Sequence, residues 1–87
     1  MNRLVLYTGT LCHLCEQARQ VLHTVMTPGL SFEDINIDGS EDLKARYGVR
    51  IPVVAVITPA GDVVAEKGWP FSPGQARRLI EQHLGGD

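Results

Sequence analysis

The segment that most constrains the fold is residues 53–57, because its sequence, VVAVI, is the most β-prone in the chain. A turn sequence, PAGD, follows at residues 59–62, and residues 63–67 return as an antiparallel partner. A second apolar run, at residues 4–7, is typical of a strand that is covered on both faces. We therefore expect a sheet with residues 4–7 and 53–57 as its central strands.

The first helix is predicted to begin at Cys12 or His13. Its apolar residues recur with helical spacing and form one stripe: Ala18, Val21, Leu22, Val25 and Met26. Pro28 and Gly29 are expected to end this helix. Residues 32–37 then form a strand with imperfect alternation, as expected at the edge of a sheet.

Two further helices are indicated by their capping residues. Ser40 caps a short helix that ends at Gly48. Ser72 and Gln75 form a capping box for the last helix, which has proline at its first position and ends at the glycine pair 85–86. The order β-α-β-α-β-β-α predicts an α/β fold, a four-stranded mixed sheet with three helices on its two faces.

The length of 87 residues predicts one domain, spanning residues 1–87. The formal net charge of -2, from eight basic and ten acidic residues, gives no electrostatic footprint for nucleic acid or anionic membranes. No segment approaches the ~20 apolar residues that span a bilayer. We expect a cytoplasmic protein that is monomeric and binds neither nucleic acid nor membranes.

The chain contains two cysteines, Cys12 and Cys15, between the first strand and the first helix. A disulfide between them closes a very short loop and adds little stability, so the pair needs a chemical explanation. Free backbone N–H groups and the helix dipole favour a thiolate at a helix N-terminus and lower the pKa of a thiol there. We predict that Cys12 is the attacking thiolate and that Cys15, one turn inward, resolves the mixed disulfide.

Other interpretations of this motif stay open. His13, if cationic, would stabilise the thiolate further, or it is an exposed residue at the helix start with little effect. A zinc site would need two more ligands, and only His13, His23 and His83 offer nitrogen. Haem attachment needs histidine directly after Cys15, where Glu16 stands. The pair could also be two simple buried thiols. We expect no metal.

Pro52 opens a strand that is predicted to be central, although proline cannot donate to the hydrogen-bond ladder. It fits this position if the Ile51–Pro52 bond is cis and its loop faces the cysteines; otherwise it is an ordinary trans proline. In the cis form, the N–H and C=O of Ile51 would be free to pair with an extended substrate segment. Arg50 is expected to be solvated, or to meet an acidic group of a substrate.

Three segments carry a family resemblance: residues 6–8 before the sequence CHLC, residues 48–54, and the sequence WPF at residues 69–71. Together they resemble the glutaredoxin-like branch of the thioredoxin superfamily, and the small bacterial members in particular, over nearly the whole chain. This resemblance implies a thioredoxin fold, a cis Pro52, and a nucleophilic Cys12 with a resolving partner.

The resemblance also implies a thiol–disulfide oxidoreductase of cell redox homeostasis, acting on disulfides of proteins or small molecules. Its substrate would contact five residues around the cysteines: His13, Leu14, Ile51, Pro52 and Trp69. Trp69 forms an apolar wall there or fills the core beneath the last helix, whereas Phe71 is expected in the core.

Three departures from true glutaredoxins concern glutathione. Those proteins usually have Pro-Tyr between the cysteines, a lysine shortly before them, and Gly-Gly with an acidic residue after the hairpin. Here the middle pair is His-Leu, residues 9–11 are GTL, and residues 67–70 are KGWP. We expect no cofactor and weak binding of glutathione as co-substrate. The alternative function is a non-catalytic module that bridges an iron–sulfur cluster or docks a partner near Pro52 and Trp69.

Overall fold

The computed structural model describes residues 1–84, so the glycine pair predicted to end the last helix lies outside the described residues. The elements in chain order are β1 (Arg3–Thr8), α1 (His13–Val25), β2 (Phe32–Asn36), a 3₁₀ turn (Ile37–Gly39), α2 (Glu41–Tyr47), β3 (Val53–Ile57), β4 (Val63–Gly68) and α3 (Pro73–His83). The predicted order of strands and helices is confirmed. None of the helices in this part of the chain is long and apolar enough to cross a membrane.

The four strands form one mixed sheet in the order β2-β1-β3-β4. β1 is parallel to β2 and antiparallel to β3, and β3 is antiparallel to β4. β1 and β3 are therefore central, and β2 is an edge strand, as predicted. β2 ends at Asn36 rather than at Ile37, because the Asn36 side chain accepts the N–H of Asp38 at 2.8 Å and starts the 3₁₀ turn.

Both faces of the central strands are covered, since successive side chains of a strand point to opposite faces. One face packs against α1 and α3 through four strand residues: Leu4, Leu6, Val54 and Val56. The other face packs against α2, where Tyr47 is buried and stacks on Tyr7 with ring centroids 4.4 Å apart. This two-sided burial explains why the two central runs are apolar without alternation.

The helix boundaries follow from local capping chemistry. Ser40 caps α2, and Ser72 and Gln75 form the reciprocal capping box of α3, both as predicted. α1 ends at Val25, and Met26 adopts an extended backbone while it still packs against the core. Capping thus sets where α2 and α3 begin, and the extended backbone of Met26 sets where α1 ends.

Candidate active site

The candidate active site lies where β1, β2 and β4 end and β3 begins. The last residue of β1, Thr8, pairs with the last residue of β2, Asn36. Tyr7 pairs with Val53 at the start of β3, and Val53 pairs in turn with Gly68 at the end of β4. The loops that follow or precede these residues therefore meet at one end of the sheet.

Cys12 and Cys15 form a disulfide at the first turn of α1, with their Cα atoms 5.2 Å apart. Cys12 is the N-cap of the helix, and its sulfur accepts the backbone N–H of Cys15 at 3.1 Å. Cys12 is partly exposed, whereas Cys15 is fully buried. The two cysteines thus differ in accessibility, and Cys12 is the one that solvent reaches.

The loop of residues 9–11 follows β1 and leads to Cys12, and it is held by the end of β2 and by the 3₁₀ turn that follows β2. The Thr10 N–H donates to Asp38 Oδ2 at 3.1 Å, and Asn36 Nδ2 donates to the Thr10 hydroxyl oxygen at 3.3 Å. Hydrogen bonding by the Thr10 hydroxyl and N–H lowers the pKa of the Asp38 carboxyl. Leu11 follows with a left-handed backbone, φ 54°, and a wholly exposed side chain.

Sequence reasoning missed this tether, because it depends on the parallel pairing that sets the end of β2 beside the end of β1. The available signal was a pair of short polar residues, Asn36 and Asp38, directly where the second strand ends. Such residues bind backbone groups of nearby loops.

The Ile51–Pro52 peptide bond is cis, and Pro52 is buried at the start of β3. The Pro52 carbonyl oxygen accepts the backbone N–H of Trp69 at 3.0 Å, which ties the β4–α3 loop to this position. The expectation that both backbone groups of Ile51 are free is wrong. Its N–H donates to the Tyr47 carbonyl oxygen at 3.1 Å, because the chain turns back at the end of α2. Within residues 1–84, the Ile51 carbonyl oxygen accepts no backbone hydrogen bond.

Gly9 allows Ile51 to approach the loop that leads to Cys12. A Cβ atom on Gly9 would lie 2.5 Å from the Cδ1 atom of Ile51, well inside the ~3.5–4.0 Å contact distance of two carbon atoms. The missing side chain at residue 9 therefore lets the cysteine loop and the loop of Pro52 pack directly together.

Trp69 packs against the core, which is one of the two interpretations that the sequence offered. Its ring is partly buried, packs against the core beneath α1 and α3, and meets the ring of Phe71 edge-on with centroids 5.1 Å apart. Phe71 is buried in that core, as predicted. The backbone of Trp69, through its bond to the Pro52 carbonyl oxygen, lies beside the cis proline.

Arg50 is exposed, as expected for a solvated charge, but its charge is also paired within the protein. It forms an ion pair with Glu66, and its guanidinium carbon lies 5.2 Å from the centroid of the Tyr47 ring. Glu66 also accepts the Tyr47 hydroxyl at 3.2 Å. Burial, followed by the charge of Glu66, raises the pKa of Tyr47. Glu66 and Arg50 therefore hold the side chain of Tyr47, the residue whose carbonyl oxygen accepts the Ile51 N–H.

A shallow depression beside the disulfide is lined by Gly9, Leu11, Cys12, His13, Glu16 and Arg19. His13 and Leu14 are both exposed on the first turn of α1. The Arg19 guanidinium binds Asp34 through Nε and Glu16 through Nη1, the latter at 2.9 Å. The hydrogen bond to Asp34 is the main cause that raises the pKa of Arg19. The positive charge in the depression is therefore already paired within the protein.

Comparison with models of protein families identifies the family. The model of the glutaredoxin-like domain (DUF836) matches residues 3–82. The chain belongs to this family. The X-ray structure of a structural-genomics target protein, XcR50 from X. campestris, is similar, with 33% sequence identity and a TM-score of 0.71. The similarity covers 91% of this chain and 96% of that chain. None of the curated protein sequences matches this chain.

Thioredoxins share the fold of this glutaredoxin-like domain. A thioredoxin variant from Halobacterium salinarum is 22% identical, with a TM-score of 0.75 over 99% of this chain and 77% of that chain. The desulfothioredoxin of Desulfovibrio vulgaris Hildenborough is 18% identical, with a TM-score of 0.72 over 93% and 80% of the two chains. The predicted thioredoxin fold is confirmed.

The chemistry available to this glutaredoxin-like domain centres on sulfur. Among the residues that the structure describes, no three His, Cys, Asp or Glu side chains gather as metal ligands. His23 instead packs edge-on against Phe32, with ring centroids 5.2 Å apart. A thioredoxin-like fold with a CxxC pair at disulfide distance indicates redox activity.

Proposed function

We propose that this protein is a thiol–disulfide oxidoreductase in which Cys12 attacks the substrate disulfide and Cys15 completes the exchange. The first turn of α1 carries the proposal, because Cys12 caps the helix and is accessible, whereas Cys15 is buried. The Cys15 N–H donates to the Cys12 sulfur in the disulfide form. After reduction, the same N–H and the helix dipole stabilise a thiolate on Cys12.

The exchange takes place in two steps, in which the dithiol is oxidised to a disulfide and the substrate disulfide is reduced to two thiols. The Cys12 thiolate attacks one sulfur of the substrate disulfide, the substrate S–S bond breaks, and the second substrate sulfur leaves as a thiolate that takes a proton from water. Cys15 then loses its proton to water, and its thiolate attacks the Cys12 sulfur. The bond between Cys12 and the first substrate sulfur breaks, and that sulfur takes up a proton and leaves as a thiol. Two electrons pass to the substrate, and a second thiol compound must reduce the Cys12–Cys15 disulfide for another turnover.

The substrate contacts that we propose surround this pair. An extended segment of a protein substrate pairs with the Ile51 carbonyl, which has no backbone donor within residues 1–84. The contacts on the protein side are His13, Leu14, Ile51, Pro52 and Trp69. Pro52 positions the carbonyl, and the exposed part of Trp69 offers apolar surface. We place the reaction in the cytoplasm, where thiols are kept reduced, and assign it to the monomer.

Glutathione is, in this proposal, a poor co-substrate. The loop of residues 9–11 offers no cation, and the guanidinium of Arg19 is occupied by two carboxylates. Each missing charge-assisted contact costs about 1.5–3 kcal/mol, roughly ten- to a hundredfold in affinity. Turnover of a glutathionylated peptide should therefore stay slow at millimolar glutathione while a protein disulfide is reduced. Efficient, saturable turnover with glutathione would contradict this part of the proposal.

The direct test maps which cysteine reacts first. The reduced protein receives a short pulse of iodoacetamide at pH 6, and peptide mapping locates the adduct. We expect at least tenfold preference for Cys12, because its sulfur is accessible and stabilised as thiolate. In parallel, Cys15→Ser should accumulate a mixed disulfide with insulin, since the resolving sulfur is missing.

The matched control is Cys12→Ser, which retains the buried thiol of Cys15 and should form no mixed disulfide. Circular dichroism of both variants establishes that they fold alike. Preferential labelling of Cys15, or equal trapping by both variants, would show that the roles are assigned wrongly. If the wild-type protein showed no exchange with any disulfide, the proposed activity would be refuted.

A further inference from the structure

Leu11 combines two properties that folding stability does not explain. Its backbone lies in the left-handed region, φ 54°, where side chains with a Cβ are disfavoured and glycine or asparagine is usual. Its side chain is 100% exposed, so it gains no packing in return. A leucine at this position therefore needs a reason other than the stability of the free protein.

The neighbours of Leu11 keep its side chain in solvent. Thr10 is tethered by Asp38 and Asn36 on one side. On the other side, Cys12 is fixed as the extended N-cap of α1. Leu11 lies between these two fixed points, with its Cα one residue, ~3.8 Å, from that of Cys12. The exposed side chain therefore borders the depression beside the attacking sulfur.

We infer that Leu11 is a specificity-determining residue that contacts an apolar side chain beside the substrate cysteine. This inference rests on the proposed function. During attack, the substrate cysteine stands over the Cys12 sulfur, so residues flanking that cysteine lie over the depression. The other side chains that line it beside the sulfur are polar or charged, namely His13, Glu16 and Arg19. Leu11 thus favours disulfides of peptides or proteins with apolar flanking residues over small polar disulfides.

Single-turnover exchange with matched peptides tests this inference. Two short peptide disulfides are prepared that differ only in having leucine or serine beside the cysteine, and hydroxyethyl disulfide serves as a small reference. Each is mixed in excess with reduced protein, and acid-quenched samples give the second-order rate constant. The ratio of the leucine rate to the serine rate cancels any change in the nucleophilicity of Cys12.

We expect the wild-type ratio to be about three- to tenfold, which corresponds to burying part of one leucine side chain. Leu11→Gly and Leu11→Asn should reduce the ratio to near one, and Leu11→Met should preserve it. Glycine and asparagine both adopt the left-handed backbone readily, so Leu11→Gly and Leu11→Asn retain the conformation of the loop. Rates with hydroxyethyl disulfide should change less than twofold in all three. Val64→Ser, which truncates another exposed apolar side chain on β4, is the control and should leave the ratio unchanged.

The outcomes separate this inference from the proposed function. A wild-type ratio near one, or a ratio that Leu11→Gly leaves intact, overturns the role of Leu11 while the exchange activity stands. Loss of exchange with hydroxyethyl disulfide in Leu11→Gly also overturns it, since the residue would then act on the nucleophile. Absence of exchange with every disulfide in the wild-type protein overturns the proposed function, and this inference with it.

Discussion

Substituting Gly9 by alanine should destabilise the protein, because the new methyl group would clash with the Cδ1 atom of Ile51. The new methyl group would lie 2.5 Å from Ile51 Cδ1, so one of the two groups must move by about 1 Å or more. Overpacking of this kind costs about 1–3 kcal/mol, and Gly→Ala returns about 0.4–1 kcal/mol by restricting the unfolded chain. Since Cδ1 is the end of a half-buried side chain, we expect a net loss of about 1 kcal/mol.

Ile51→Val removes the very atom that the methyl group meets. Alone, it should cost about 0.5–1.5 kcal/mol. In the Ile51→Val background, Gly9→Ala should cost almost nothing, so the double-mutant cycle should show a favourable coupling of about 1 kcal/mol. Urea unfolding of the oxidised proteins, followed by circular dichroism, measures all four free energies of unfolding. The matched control is Gly39→Ala, where an added Cβ has nothing within 4 Å.

Two results would refute this reasoning. If Gly9→Ala is as stable as Gly39→Ala, then Ile51 does not press on the loop before Cys12. If the double variant shows strictly additive losses, the destabilisation has another origin than Cδ1. Either result would mean that the cysteine loop and the loop of Pro52 are not packed together as described.

Two other predictions concern the same loop. Leu11→Gly should stabilise the protein by up to about 1 kcal/mol in urea unfolding, because relief of the left-handed backbone outweighs the greater freedom of glycine in the unfolded chain; a clear loss of stability would contradict this. Asp38→Asn should destabilise at pH 7 and approach the wild type as pH falls below 3.8. The Asp38 pKa is lowered from that value by Thr10, so this contribution is present above pH 3.8 and lost on acidification.

The elements that the sequence predicted best are those with a local chemical cause. The capping box of Ser72 and Gln75 needs only four consecutive residues, and the structure has it. Residues 53–57 form β3 with the predicted bounds, as expected for a run rich in β-branched residues that is covered on both faces. Cys12 at the N-terminus of α1 follows in the same way from the strand before it and the amphipathic helix after it.

The features that the sequence did not predict depend on sheet register. Glu66 pairs with Ala55, so its side chain points to the face where α2 packs, and there it meets Tyr47 and Arg50. Nothing in the neighbourhood of Arg50 in the sequence indicates that partner, which lies sixteen residues away. The left-handed backbone of Leu11 was equally hidden, because leucine is not a residue that signals such a conformation.

The direction of β3 decides whether Pro52 can belong to the site at all. β3 runs antiparallel to β1, so its first residue, Val53, pairs with Tyr7 near the end of β1, where the loop to Cys12 starts. If β3 ran parallel to β1, Pro52 would lie at the opposite end of the sheet, about 17 Å away for a five-residue strand. The contact between Gly9 and Ile51 therefore depends on strand direction before it depends on either side chain. A cysteine pair after β1 and a proline before β3 become one site only because β3 runs antiparallel to β1.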